Sequence, residues 1–487
     1  MIADLKPYAE YKESGSRWLA NVPSHWEVRK LRTLIRPRNE RNRSELPLLS
    51  VAREKGVFVR SLTDADENHN VIPEDLSNYK VARAGNLVIN KMKAWQGSMG
   101  IAPSDGIVSP AYFVFDFDIA DRAFGQALLR SKPYVAHFGQ ASDGVRVGQW
   151  DLTIAGMRQI PVLAPPPAEQ AAIVRFLDYA NRRIERFIRA KRKLIVLLNE
   201  QKQGIIFRAI TRGVDHGVRM KPSGVEWLGD VPEHWELIRL KYVSPEITVG
   251  VVVNPSSYFV DEGVPILLGN NVLPGGFRLD HVRRVTPDSN RIQLKKSQLR
   301  AGDVVVVRVG APGVAAVIPP ELDGCNCASM VIVRRGNKCE PLWMEHLFNS
   351  PVMRRQIDMV KYGAAQKQFN ISHAVDFLAL LPSLEEQRRT LDYLTSELRR
   401  IDAPLAHITR QIDLIREYRT RLIADVVTGK LDAREAAARL PEEAPADIAD
   451  DDTDLSIDPE ALFTGIGLNE GYPQAINCTN ESGRTKY

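Results

Sequence analysis

Residues 14–27 read Ser-Gly-Ser-Arg-Trp-Leu-Ala-Asn-Val-Pro-Ser-His-Trp-Glu, and residues 223–236 read Ser-Gly-Val-Glu-Trp-Leu-Gly-Asp-Val-Pro-Glu-His-Trp-Glu. Nine of the fourteen positions are identical, at an offset of 209 residues. A match that retains tryptophan, histidine and proline at fixed spacing indicates a duplicated segment. This duplicated motif decides the fold, because it predicts that the chain contains two copies of one unit.

Four further pairs of segments follow the duplicated motif in the same order in both copies. They are residues 84–89 and 301–306, 144–152 and 363–371, 165–170 and 382–387, and 200–211 and 417–428. The first pair is typical of a glycine turn that leads into a buried strand. Because the order is the same throughout, the sequence predicts two copies of a unit of roughly 210–220 residues.

Each copy ends in a stretch that has the seven-residue repeat of a long helix. Glu169 and Gln170 follow a run of prolines, which is a typical helix start, and the pattern continues to about Thr211. The second stretch ends at Thr428-Gly429, where glycine suits a helix C-cap. At 1.5 Å per residue the first helix would be roughly 65 Å long. Its apolar positions are Leu177, Ala180, Ile184, Phe187, Leu194, Leu198 and Ile205, and those of the second helix are Leu394, Ile401, Ile408, Ile415 and Leu422.

Two such helices in one chain most simply pack as an antiparallel pair, with a globular domain at each end. The predicted fold class is α+β: two mixed α/β domains joined by two long antiparallel coiled-coil helices, with a pseudo-twofold internal repeat. Pro404 predicts a kink in the second helix or a restart after Asp402. The predicted boundaries are 1–167 and 213–383 for the domains, the latter including a linker, 168–212 and 384–430 for the helices, and 431–487 for an acidic, disordered tail.

Composition excludes several classes of protein. A hydrophobic content of 44% and a charged content of 26% are typical of a globular chain rather than a fibre or a disordered one. No apolar run approaches ~18 residues, and residues 1–7 lack a signal-peptide core, so no membrane span or secretion signal is expected. The four cysteines, Cys325, Cys327, Cys339 and Cys478, have no metal-binding spacing, which favours a reduced, cytoplasmic protein without zinc.

The net charge of +5 is unevenly distributed along the chain. Residues 441–487 hold eleven acidic and two basic residues, which leaves 63 basic against 49 acidic residues, a net charge of +14, in the first 440. The first predicted long helix is also basic, with eleven Lys or Arg against five Asp or Glu between Ala168 and Asp215. A basic body favours an acidic partner such as nucleic acid, although such a run is also common on a solvated helix face.

Motifs for catalysis are weak. Thr428-Gly429-Lys430 lacks the upstream glycine of a phosphate-binding loop. Residues 254–258 (Asn-Pro-Ser-Ser-Tyr) only faintly resemble the adenine-gripping motif of amino-methyltransferases, and Pro287-Asp288 is better explained as a surface turn than as a metal-nuclease signature. His25 and His234 recur in the duplicated motif without a catalytic partner, so packing or capping roles are predicted for them. The chain is therefore not expected to be an enzyme by itself.

Two loops of the first copy and one loop of the second carry residue types that bind DNA. Lysine neutralises phosphate, and Asn or Gln can read an adenine edge. The first loop, residues 90–98, follows a predicted buried strand, and the second, residues 142–150, has its counterpart in residues 362–369. For each residue the alternative is an ordinary solvated loop. The candidate DNA-binding residues are Asn90, Lys91, Lys93, Gln96, Arg146, Gln149, Gln366, Lys367 and Gln368, with Arg308 as a weaker candidate alongside Arg283 and Arg284.

The duplicated motif, the Pro-Pro-x-x-Glu-Gln helix start at residues 165–170 and the segment from Leu422 to Asp432 resemble the specificity subunit of type I restriction-modification enzymes. The resemblance covers residues 6–440. It implies that each globular domain is a target recognition domain that reads one half of a split DNA sequence. It also implies that the two helices fix the spacing between the halves, and that the chain itself is not catalytic and binds no cofactor.

The same resemblance implies the partners of the chain, the first of which is double-stranded DNA. Two methyltransferase subunits would bring S-adenosylmethionine and methylate adenine after flipping it out of the duplex. Restriction subunits would bring ATP-driven translocation and cleavage, with Mg²⁺. Two other hypotheses are a self-contained nuclease or methyltransferase, which lacks motifs, and a duplicated coiled-coil scaffold that binds protein partners but not DNA.

Overall fold

The computed structural model describes residues 5–60, 75–144, 150–361 and 368–441. The described residues form two compact units: a first unit within residues 5–191 and 408–441, and a second unit within residues 192–407. Each unit combines one globular domain with part of both long helices. The predicted boundaries treat the helices as separate segments, whereas the apolar positions near the helix ends belong to the domain cores.

The first unit is built around a four-stranded antiparallel sheet. In spatial order its strands are Ile35–Pro37, Tyr112–Phe117, Leu87–Asn90 and Met99–Ile101. Two-stranded pairs surround it: Tyr11–Glu13 with Asn21–Pro23, Glu27–Lys30 with Pro161–Ala164, Leu49–Ala52 with Gly56–Val59, Lys80–Ala82 with Gly106–Val108, and Ser142–Asp143 with Asp151–Leu152. Its short helices are Leu31–Thr33, Ala94–Gln96, Arg122–Leu129, Lys132–Gln140 and Ile154–Arg158.

The second unit repeats this sheet with the strands Ile247–Val249, Met330–Val333, Val304–Val307 and Ala315–Val317, in the same spatial order. It also has a mixed sheet of Phe259–Val260, Arg283–Val285, Val264–Leu267 and Asn326–Cys327. The remaining strand pairs are Met220–Pro222 with Asp230–Pro232, Glu236–Arg239 with Leu378–Leu381, and Val272–Leu273 with Gly276–Phe277. Its short helices are Leu240–Tyr242, Pro255–Tyr258, Gly269–Asn271, Pro287–Arg291, Lys295–Ser297, Pro320–Leu322, Pro341–Phe348, Pro351–Val360 and Ile371–Ala374.

The two inner strands that the sequence predicted as buried, Leu87–Asn90 and Val304–Val307, are buried along their whole length. Alternate side chains of a strand point to opposite faces of the sheet. Accordingly Val304 and Val306 pack in one hydrophobic cluster while Val305 and Val307 pack in another. A strand covered on both faces needs a continuous apolar run rather than an alternating one, which explains its sequence.

The two long helices are Pro167–Arg212 and Leu384–Val427. They run antiparallel within each unit. In the first unit Arg419 donates to Asn181 at 2.9 Å, and Arg434, beyond the end of the second helix, lies 4.0 Å from Glu169. In the second unit Lys202 pairs with Asp402 and Asp215 with Arg389, so partner numbers fall as the first helix advances. The predicted fold class is therefore confirmed.

The duplicated motif joins each domain to the helix ends. Glu169, in the first turn of the first long helix, accepts a hydrogen bond from the indole of Trp26 at 3.0 Å and lies 2.7 Å from Nε2 of His25. Glu386 does the same for Trp235 at 3.0 Å and His234 at 2.8 Å in the second unit. His25 and His234 thus hold the helix start to the domain, which accounts for their recurrence.

The C-terminal end of a long helix also packs against each motif: the second helix against the motif of the first unit, and the first helix against the motif of the second unit. Gly429 ends the second long helix with φ +76°, and an added Cβ would lie 3.0 Å from the ring of Trp26. Gly213 follows the first long helix with φ +73°, and its Cβ would lie 3.2 Å from Trp235. Glycine is favoured here because the backbone is left-handed and the tryptophan leaves little room for a side chain.

Two predictions about the C-terminal part of the chain differ from the structure. A restart after Asp402 is wrong, because the second long helix continues through Pro404 without interruption. Pro404 is exposed, so water can satisfy the carbonyl that loses its hydrogen bond. The tail was predicted to begin at residue 431, whereas Arg434–Ala438 form a helix whose Ala436 and Ala437 are buried in the first unit. Residues 442–487 lie outside the described residues.

Candidate nucleic-acid interface

In the first unit the two predicted loops meet at the end of an inner strand. Lys91 directly follows the strand Leu87–Asn90, and its Nζ lies 3.0 Å from Oδ2 of Asp151. The backbone carbonyl of Lys91 accepts a hydrogen bond from the amide of Leu152 at 2.9 Å. Residues about sixty positions apart in the sequence are therefore fixed side by side, with a lysine at the junction.

The second unit repeats this junction with different residues. Arg308 directly follows the strand Val304–Val307, and its Nη1 donates to Oδ1 of Asn370 at 3.3 Å. The next residue, Val309, forms an isolated antiparallel bridge with Gln368. Arg308 corresponds to Lys91 in the repeat, and Asn370 corresponds to Asp151. Both units thus place a cation at the end of the inner strand and hold it with a polar residue of the second loop. We call this pair, Lys91 with Asp151 or Arg308 with Asn370, the strand-end junction.

The positive charge in the first unit extends beyond Lys91. Lys80 donates through Nζ to the carbonyl of Tyr112 at 2.7 Å, and Tyr112 pairs with Asn90 at the end of the inner strand. Burial lowers the pKa of Lys80, and the nearby charges of Arg41 and Lys91 lower it further. A group of neighbouring positive charges is a surface suited to an anionic ligand.

The remaining candidates of the first loop have different surroundings. Asn90 is only 4% exposed, and its Oδ1 accepts a hydrogen bond from the amide of Met92 at 3.2 Å. It therefore shapes the turn, and its position argues against the predicted base contact. Lys93 is exposed and Gln96 partly exposed, and neither side chain has a hydrogen-bond partner among the residues that the structure describes.

Four candidates, Arg146, Gln149, Gln366 and Lys367, lie outside the described residues. Their loops are nevertheless anchored on one side by the residues described above, since Trp150 and Gln368 follow them directly. The predictions for these four residues remain predictions.

The arginines of the second unit fall into two groups. Arg308 joins the strand-end junction, and its Nε is buried without a hydrogen-bond partner among the described residues. Arg284 donates to the carbonyl of Gly263 at 2.8 Å, and Arg283 lies over the ring of Phe259, so both stabilise the mixed sheet. Only Arg308 shares the site of the other candidates.

Sequence reasoning missed Asp151 and Asn370, the residues that hold the strand-end cations. Both stand directly after the aromatic residue of the repeated segment, Trp150 or Phe369. An acceptor that recurs at the same position in both copies was the signal that could have identified them. Their partners could not be predicted, because each pair joins residues about sixty positions apart.

The weak catalytic motifs form ordinary surface structure. Pro255–Tyr258 is a short helix without a buried residue, and Asp288 pairs with Arg291 in the exposed helix Pro287–Arg291. Within the described ranges there is no group of three or more His, Cys, Asp or Glu residues that could hold a metal ion. Among the described helices none is long and apolar enough to cross a bilayer.

The chain is similar in sequence to two specificity subunits of type I restriction enzymes. No family model matches the chain. The chain is 24% identical over 280 residues to the type I restriction enzyme MjaVIII specificity subunit of Methanocaldococcus jannaschii, an alignment that covers 56% of this chain and 62% of the relative. It is 21% identical over 277 residues to the type I restriction enzyme EcoBI specificity subunit of Escherichia coli, covering 55% of this chain and 58% of that one. The match thus spans about three fifths of the length of each curated relative.

The fold is also similar to that of a protein of known structure. One chain from a structure of complex assembly and conformational transition in a type I R-M system superposes with a TM-score of 0.59 at 17% identity, covering 84% of this chain and 99% of that one. At this identity the similarity establishes the fold alone. The resemblance to type I specificity subunits that the duplicated motif predicts is confirmed.

Proposed function

We propose that the chain is the non-catalytic DNA-recognition subunit of a type I restriction-modification complex. Each unit reads one half of a bipartite DNA sequence. The long helices set the spacer between the halves and dock the methyltransferase subunits. The chain acts in the cytoplasm, where the DNA is.

One observation carries the proposal: the strand-end junction occurs in both units at equivalent positions of the backbone but with different side chains. Lys91 and Asp151 form it in the first unit, and Arg308 and Asn370 form it in the second. A repeated frame that presents different side chains suits two readers of different sequences. Two weak readers held in one chain also bind DNA more tightly than either alone, through their effective concentration.

The proposed partners supply the chemistry. Two methyltransferase subunits carry S-adenosylmethionine and methylate adenine in each half-site. Restriction subunits carry ATP and Mg²⁺ and perform translocation and cleavage. The residues of this chain contribute recognition of double-stranded DNA and the geometry of the complex.

The test is to express the chain with the methyltransferase subunit encoded beside it, in a host without adenine methylation, and to map methyladenine by single-molecule sequencing. The expected result is methylation in two short sequences separated by a spacer of constant length. Methyltransferase expressed without the chain should leave the DNA unmethylated. Methylation of one continuous sequence, or methylation that does not depend on the chain, would contradict the proposal.

A second measurement separates DNA recognition from a scaffold role. A gel shift with the purified complex and a duplex that carries the mapped sequence should show retention. A duplex with the half-sites scrambled should be retained less. Equal retention of both duplexes would indicate that the chain organises proteins without reading DNA.

A further inference from the structure

The first unit presents a pair of tryptophans at its strand-end junction. The rings of Trp95 and Trp150 lie 5.1 Å apart between centroids at 63°, an edge-to-face arrangement, and both residues are partly exposed. The indole N–H of Trp95 donates to the carbonyl of Met92 at 3.1 Å, inside its own loop. The polar atom of Trp95 is therefore already satisfied, and what the residue offers outward is ring surface.

The surroundings of this pair combine apolar surface with positive charge. Met92 is 45% exposed and Lys93 is exposed beside it, while Lys91 pairs with Asp151, the residue after Trp150. Tryptophan, methionine and lysine side by side on a surface offer ring and thioether contacts together with phosphate neutralisation. In duplex DNA an apolar side chain can contact the methyl group of thymine at a base edge, while lysine neutralises a neighbouring phosphate.

Among the residues that the structure describes, the second unit has no equivalent pair. Phe369 corresponds to Trp150 but is fully buried, 5.9 Å from the ring of Phe377 between centroids. The loop 308–314, which corresponds to the loop that carries Trp95, contains no aromatic residue. The strand-end junction is thus common to both units, whereas in the described part of the chain a partly exposed aromatic pair at this junction occurs in the first unit alone. A feature of this kind suits the reading of one half-site rather than general support of the fold.

We propose that the Trp95–Trp150 pair is a contact surface for DNA bases in the half-site read by the first unit. The second unit reads its half-site without an aromatic contact at this position. This inference rests on the proposed function and deepens it, because it names residues that determine the specificity of one reader. The DNA contact uses the ring of Trp95, since its N–H is engaged within the loop.

The test compares Trp95→Ala with Trp95→Phe in the complete complex with the methyltransferase subunits. The probe is a duplex that carries the sequence mapped by methyladenine sequencing. Trp95→Ala should weaken binding about tenfold, a loss of the size expected for one specific contact to a base edge in the groove of the duplex. Trp95→Phe keeps a ring but loses the N–H, so it should retain most of the affinity. If both variants lose affinity equally, the loop hydrogen bond and not the ring surface is responsible, and the proposal is overturned.

Single base-pair changes in the probe locate the contact. In Trp95→Ala, discrimination against changes in the first unit's half-site should fall, while discrimination in the other half-site stays as in the parent. Tyr242→Ala, which removes an aromatic side chain of the second unit that is 58% exposed, is the matched control and should leave both unchanged. Unchanged discrimination in Trp95→Ala, with the parent complex still binding its bipartite target, would overturn this inference and leave the proposed function intact. Loss of target binding by the parent would overturn both.

Discussion

Glu345 and Gln126 show how a single residue can differ between two copies that share one fold. Oε2 of Glu345 accepts a hydrogen bond from the amide of Val317 at 2.8 Å, and Oε1 of Gln126 accepts one from Ile101 at 2.7 Å in the equivalent position of the first unit. The hydrogen bond is the same, but only Glu345 can ionise. Burial raises the pKa of Glu345, and the bond from Val317 only partly offsets this.

Glu345→Gln is therefore expected to stabilise the second unit at neutral pH. A raised pKa in the folded state means that the carboxyl contributes stability while it is protonated, and that this contribution is lost as pH rises through the folded pKa. The glutamine keeps the acceptor for Val317 and does not titrate. The difference in melting temperature between variant and parent should be small near pH 4 and should grow towards pH 7.5, as measured by differential scanning calorimetry.

The reverse substitution is the matched control. Gln126→Glu introduces a carboxyl at the same position of the first unit, so it should destabilise the protein increasingly as pH rises. If Glu345→Gln gives a difference that does not change with pH, burial of the carboxylate is not what limits stability there.

At the scale of elements, a polar pair stabilises the turn before each inner strand. The turn residue is the hydrogen-bond donor in the first unit and the acceptor in the second. In the first unit Asn86 donates to Asp116 at 3.0 Å. In the second unit the equivalent of Asn86 is Asp303, which lies 2.6 Å from Nη1 of Arg334. Asp303 is 2% exposed, and its other oxygen accepts the amide of Arg335 at 3.1 Å.

Asp303→Asn should destabilise the second unit strongly. Arg334 has only 10% of its side chain exposed, so removing the carboxylate leaves a buried positive charge whose remaining ion pair is with Glu246, at 3.9 Å. The expected loss is about 3 kcal/mol, measured by chemical denaturation. Asn86→Ala removes a neutral donor from a more exposed pair and should cost about 1 kcal/mol. Equal losses in the two variants would mean that charge burial at Asp303 is unimportant.

How far the elements could be predicted depends on how local their cause is. The inner strand Val304–Val307 and the helix start at Glu169 follow from apolar runs and prolines that lie next to each other in the sequence. Heptad spacing likewise revealed both long helices. The partners of Lys91 and Arg308 could not be predicted, because they depend on loops that meet only after folding. The predicted restart of the helix after Asp402 was wrong because the cost of the hydrogen bond lost at Pro404 depends on the exposure of that residue. Exposure is a property of the folded chain and cannot be read from neighbouring residues.

At the scale of the whole molecule, each long helix contributes residues to both units, so helix length is the quantity that the proposed function needs to control. The helix ends are unsuitable places to change it. Ile210 and Thr211 are buried in the second unit, and Phe176 and Leu177 are buried in the first. Leu194 and Leu197, in contrast, are 40% and 51% exposed. An insertion after Lys193, matched by one after Ala406 in the second helix, therefore avoids both domain cores.

Insertion of one heptad at both positions should lengthen the spacer of the methylated sequence and leave both half-sequences unchanged. Seven residues preserve the register of the apolar seam and add about 10.5 Å at 1.5 Å per residue. At about 3.4 Å per base pair this corresponds to roughly three additional base pairs. Methyladenine mapping of the variant complex measures the spacer directly. A two-residue insertion at both positions turns the apolar seam by about 200°, away from the facing helix, and serves as the control, with methylation expected to be weak. Altered half-sequences in the heptad variant would show that recognition depends on the helices themselves, because the insertion leaves the residues of both strand-end junctions in place.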